Sequence, residues 1–282
     1  EPLAPLNVAL LGLGAVGLGV YKHLLANQHL FHIVGIAVNE LNKHEREQLP
    51  KNLISDNWAE VLARNCDVVI ELTGDPACSE SMIRQALTQG CHVITANRAL
   101  VAEKGIELCH LAAQNEVKLM YSATIGGAIP VIETLQNRHD IKAITGILNG
   151  TCNFILDKVK EGQALTHTLS LTKILGLSEN ESTMDLYGVD VSQKAIILSR
   201  IAFGRDPDSI DTTGIQYLDE TKIRDAHLAG KNIRLVVSCT LENNRIEVKV
   251  EPTAIDLNHS LAHVTGMHNA VLIHTSHDTI EL

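Results

Sequence analysis

Several features are missing from this chain of 282 residues. No apolar run reaches the roughly 18 residues of a membrane span, so no transmembrane helix is expected. Basic charge is not in excess. A net charge of −10 at pH 7 offers neither nucleic acid nor an anionic membrane the basic stripe it needs. The opening residues, EPLAPLNVALLGLG, lack a basic segment ahead of the apolar stretch, so no secretory signal is expected. The six cysteines (Cys66, Cys78, Cys91, Cys109, Cys152, Cys239) form no CxxC. They read as free thiols in a reducing compartment, the cytoplasm. The fourteen histidines show no HExxH and no zinc-like spacing with cysteine, so no zinc site is expected.

What is present is an apolar content of 45%, enough for real cores, in a length that suggests two domains. Asn7 to Leu11 is a short apolar run of the kind buried in parallel sheets. Gly12-Leu-Gly14-Ala15-Val16-Gly17 follows at once, then a helix-compatible segment. GxGxxG alone is weak, since structural glycines are common. Between a strand and a helix it reads as a cradle for a dinucleotide pyrophosphate at a helix N-terminus. The second strand ends at Asn39-Glu40, with Lys43 and Arg46 beyond. A neutral Asn39 and a basic Lys43 lean toward NADP over NAD; the alternative is that Lys43 and Arg46 are solvated loop charges. Further strands, Asp67 to Leu72 and His92 to Thr95, end in Thr73-Gly74 and Asn97-Arg98, with helices between. This alternation predicts a Rossmann-like doubly wound parallel sheet, with ligand contacts at those strand ends.

After residue 137 the pattern changes to α+β, so residues 1–137 are expected to bind the dinucleotide and 138–282 to bind substrate and dimerise. Gly176 to Gly204 is the most informative stretch. An acid-rich loop carries Glu179, Glu181 and Asp185; Gly188 turns the chain; a helix then starts with Asp190 as expected N-cap and ends at Gly204. Asp190 and Lys194 are four apart and share a face. The commoner meaning of Asp-x-x-x-Lys is a surface pair. Behind an acid-lined loop it can instead bind an ammonium group and move a proton.

The motifs resemble those of the homoserine dehydrogenases, in order along nearly the whole chain: GLGAVG, ELTG, TANRALVAEKG, ATIGGAIPVIETL, GILNGTCNFIL, GLSENESTMDLYGVDVSQKAIIL and LAHVTGMHNAVL. The resemblance implies NAD(P)-dependent interconversion of L-homoserine and L-aspartate 4-semialdehyde, in threonine and methionine biosynthesis, by a homodimer. It implies that Glu179 and Asp185, with Asn149, Gly150 and Thr151 of GILNGT, bind the amino-acid substrate. Lys194 becomes the proton donor and acceptor, and Asp190 its partner. Three positions depart from the family's pattern. Arg98 replaces a lysine; it keeps the charge but cannot release a proton. Ser122 replaces a glutamate that helps hold a monovalent cation, so that site loses its charged ligand. Ala128 stands where glycine is frequent. The family's glycine-rich GAG…PTA segment and following helix have no counterpart before Leu282. An oxidoreductase of altered specificity, or a non-catalytic nucleotide-binding homologue, are the alternative readings.

Overall fold

A computed structural model describes residues 4–41, 49–126, 129–175 and 182–282. The chain forms two compact units, Glu1–Thr124 and Ile125–Leu282. The division falls ahead of the expected 137/138 boundary, because the helix after Pro130 packs within the second unit.

The first unit alternates strand and helix: β1 (Leu6–Leu11), α1 (Ala15–Ala26), β2 (Phe31–Ala37), β3 (Ile54–Ser55), α2 (Trp58–Leu62), β4 (Val68–Glu71), α3 (Pro76–Thr88), β5 (His92–Thr95), α4 (Arg98–Gln114) and β6 (Leu119–Met120). The strands pair in the order β3-β2-β1-β4-β5-β6, every pair parallel. Successive side chains of a strand point to opposite faces. In β1, Val8 and Leu10 therefore join a core with Tyr21, Leu24 and Ile36, while Ala9 and Leu11 join another with Val61, Ile83 and Leu108. Both faces are buried, which is why β1 reads as a continuous apolar run. The doubly wound parallel sheet is as expected. Helix α4 starts at Arg98, where the Asn97 side chain accepts from Leu100 N–H at 3.1 Å and caps it. The edge strand β6 is only two residues long, and Ser122 opens a single 3-10 turn, Ser122–Thr124.

The second unit comprises α5 (Val131–Leu135), β7 (Ile141–Ile147), α6 (Gly150–Lys160), α7 (Leu165–Ile174), α8 (Ser182–Leu186), α9 (Val189–Phe203), β8 (Ser209–Thr212), α10 (Glu220–Leu228), β9 (Lys231–Glu242), β10 (Arg245–Asp256), β11 (Ala270–Thr275) and β12 (Thr279–Glu281). Its sheet runs β12-β11-β7-β9-β10-β8 and is mixed: β8 lies parallel to β10, the other pairs antiparallel. Asn243-Asn244 form the hairpin turn between β9 and β10, both residues left-handed at φ 48° and 59°. Helix α9 is bounded by two left-handed glycines, Gly188 at φ 78° and Gly204 at φ 79°. Gly188, not Asp190, is the N-cap; Asp190 lies inside the first turn, its carboxylate aimed at other partners. Asp185, expected in the acid-rich loop, lies instead in the short helix α8.

Candidate functional site

In the first unit the chain leaves β1 through Gly12, whose φ of +95° suits only glycine. A Cβ there would lie 2.6 Å from the Leu72 carbonyl oxygen. A Cβ on Gly17 would lie 2.3 Å from the Gly12 oxygen, so Gly17 lets α1 close on the turn. Gly14 differs: it is the N-cap of α1, makes no side-chain cap bond, and faces open space where a Cβ would stand. Ala15 and Val16 in the first turn of α1 are exposed. Amides at a helix start with open space before them are what a pyrophosphate needs. The glycine turn therefore fits a dinucleotide. Asn39 is exposed just past β2; Lys43 lies outside the described residues. The strand ends hold Thr73, Gly74, Asn97 and Arg98 where expected, beyond β4 and β5. Gly74 is left-handed at φ 77°.

In the second unit, Asp190 and Lys194 lie on the face of α9 that carries Val191, Ala195 and Leu198. That is the buried face. Lys194 Nζ meets Asp190 Oδ2 at 2.9 Å, with side chains only 10% and 7% exposed, and it also donates to the Leu148 carbonyl. A surface pair is thereby excluded. Burying such a pair is rarely a gain in stability, since desolvation offsets the attraction. Asn149, at the start of α6, links the acids. Its amide donates to Asp185 at 2.7 Å and to Asp190 at 3.1 Å, while its oxygen accepts from Cys152 N–H at 2.8 Å and caps α6. Gly150 has to be small: a Cβ would meet the Met267 carbonyl oxygen at 2.6 Å. Thr151 is buried in the first turn of α6. The geometry thus joins Asn149, Asp185, Asp190 and Lys194 directly, with Gly150 and Thr151 beside Asn149. Glu179 and Glu181 lie outside the described residues. The arrangement offers carboxylates to an ammonium group and a lysine to a proton in transit.

Residues 129–279 match the family model described as homoserine dehydrogenase, and residues 12–122 match that of the homoserine dehydrogenase NAD binding domain. The chain belongs to the homoserine dehydrogenase family. The homoserine dehydrogenase of Neisseria gonorrhoeae is 34% identical over 285 residues, covering 96% of this chain and 66% of the relative. That of Bacillus subtilis is 33% identical, with 95% and 66% covered. The chain thus spans just under two thirds of the length of these curated relatives. Among solved structures, a homoserine dehydrogenase from Thiobacillus denitrificans superposes with a TM-score of 0.91 at 33% identity, covering 98% of this chain and 68% of the other. One from S. aureus gives 0.86 at 33%, covering 99% and 74%.

Within this homoserine dehydrogenase fold, two features of the sites were missed by sequence reasoning. Cys152 donates to the Asp185 carbonyl at 3.3 Å, and burial pushes its thiol far above the usual range. Glu71, inside ELTG, lies fully buried beneath both strand ends; an acid closing an otherwise apolar strand was the available signal. Ala128 falls outside the described residues. Ser122 carries a neutral hydroxyl, and among the described residues no group of three or more His, Cys, Asp or Glu is placed so that it could hold a metal ion.

Proposed function

We propose that this chain catalyses the reversible, NAD(P)-dependent interconversion of L-homoserine and L-aspartate 4-semialdehyde. The observation that carries the reading is the buried Asp190–Lys194 pair, tied through Asn149 to Asp185. When bound, the nicotinamide supplies or accepts the hydride. The remaining work falls to side chains. Asp185, with Glu179, takes the substrate's ammonium and hydroxyl groups. As the aldehyde is reduced, negative charge develops on its oxygen; Lys194 stabilises that charge and delivers the proton. In the oxidative direction Lys194 removes the hydroxyl proton. Asp190 keeps the ammonium aimed, and Asn149 holds both acids at fixed separation. Arg98 adds positive charge without exchanging a proton.

Gly12, Gly14, Ala15, Val16 and Gly17 would hold the pyrophosphate, with Thr73, Gly74, Asn97 and Arg98 at the strand ends. A neutral Asn39 and a basic Lys43 favour NADP. The reaction belongs to the synthesis of threonine and methionine, and the active species is a homodimer; sedimentation at the 30.7 kDa of a single chain would refute the dimer. The test of function is to supply L-homoserine with NADP⁺ or NAD⁺ and follow absorbance of the reduced cofactor. Turnover is expected, faster with NADP⁺. Nucleotide binding without turnover by either cofactor contradicts the reading.

A further inference from the structure

Glu71 is the last residue of β4 and has 0% exposure. A carboxylate removed from water needs donors for its oxygens. Among the described residues they are all neutral groups. Oε1 accepts from Thr73 N–H at 2.8 Å, the Thr73 hydroxyl at 2.7 Å and the Ser79 hydroxyl at 2.8 Å. Oε2 accepts from the Thr95 hydroxyl at 2.6 Å. A hydroxyl has one proton, and turning it toward Glu71 leaves its lone pairs as acceptors. Asn97 uses two of these: its backbone N–H donates to Thr95 Oγ1 at 3.0 Å and its side-chain amide to Ser79 Oγ at 3.0 Å. Asn97 Oδ1 then caps α4, whose first residue is Arg98. One carboxylate therefore ties together the loop after β4, the first turn of α3, the loop after β5 and the start of α4. These are the strand ends at which a doubly wound sheet takes its ligand.

We propose that Glu71 is a positioning residue for the nucleotide: it fixes Thr73-Gly74 and Asn97-Arg98 in the geometry that receives the nicotinamide half. This rests on the nucleotide-binding reading of the first unit and needs nothing from the substrate site. Glu71→Gln keeps the volume but replaces one acceptor with a donor facing groups that already donate. The full-length variant should bind NADPH about tenfold more weakly by fluorescence titration, at full stoichiometry, because charge-assisted bonds are the strong ones. Thr95→Val removes only the Oε2 contact and the acceptor for Asn97 N–H; it should weaken binding in the same direction by less. A purely structural role lowers the melting temperature and leaves the folded fraction with wild-type Kd, and that result overturns the proposal. Should Glu71→Gln not fold, Thr95→Val and Ser79→Ala decide: weaker binding supports the role, and unchanged Kd in both overturns it. The readout needs no substrate, so the two readings fail differently. Wild-type protein binding neither NADPH nor NADH refutes the nucleotide reading. Wild-type binding matched by the variants refutes the role of Glu71 alone.

Discussion

Asn149 does three things with one amide. It donates to Asp185 and Asp190 and accepts the N–H that caps α6. Two substitutions separate these roles. Asn149→Asp keeps a capping oxygen but brings a third carboxylate against the other two, where like charges repel. It should retain most of the cap stability and lose nearly all turnover. Asn149→Ala loses the cap, at about 1 kcal/mol, and frees both acids. Melting curves and homoserine kinetics on the two variants check this; equal activity losses scaling with stability would contradict a role for Asn149 in setting the acids. At this scale the sequence was partly legible. Asp190 and Lys194 stood out because i,i+4 spacing is local. That they face inward was not, because the burying surface comes from β9 and β10, later in the chain. Glu71 was hidden for the same reason: its partners Ser79 and Thr95 gather only when β4 and β5 pair.

Among elements, the turn from β1 into α1 shows how similar glycines differ. Gly12 and Gly17 face backbone; Gly14 faces open space. Gly14→Ala should leave stability within about 0.5 kcal/mol, as surface changes do, and still weaken NADPH binding. Gly12→Ala, at φ +95° and 2.6 Å from a carbonyl oxygen, should cost several times that. Thermal melts with nucleotide titration distinguish the two; matching losses of stability would refute the assignment. A second element-scale device anchors α6. Asp157 accepts from Arg234 at 2.8 Å, Lys160 at 3.0 Å and Gly266 N–H at 2.8 Å. Burial opposes its charge, but these partners outweigh burial and hold its carboxyl below the usual range. A lowered folded value means the contribution is complete above the ordinary carboxyl value of about 4 and is lost as pH falls through the lowered one. Stability should therefore drop on acidification below about pH 4. Asp157→Asn, which does not titrate, should start lower at pH 7 and show a smaller acid drop; an equal drop would contradict this. The glycine turn was legible because strand, turn and helix are contiguous. Asp157 carried no local signal, since Arg234 and Gly266 reach it from distant segments.

Across the whole molecule, the proposed function divides into separable tasks for the two units. The first has the features of a nucleotide-binding sheet; the second holds a buried lysine paired with a carboxylate, the group proposed to move the proton. The parallel sheet was readable because βαβ repetition leaves few topologies. The mixed sheet was read only as a class, because the order of β7, β9 and β11 depends on pairings between distant segments. The separation of tasks can be tested through one residue. Lys194→Ala should reduce turnover of L-homoserine by about 10² to 10⁴-fold, the usual worth of a positioned acid–base group, and leave NADPH binding unchanged. Near-normal turnover in a folded Lys194→Ala protein would contradict the account.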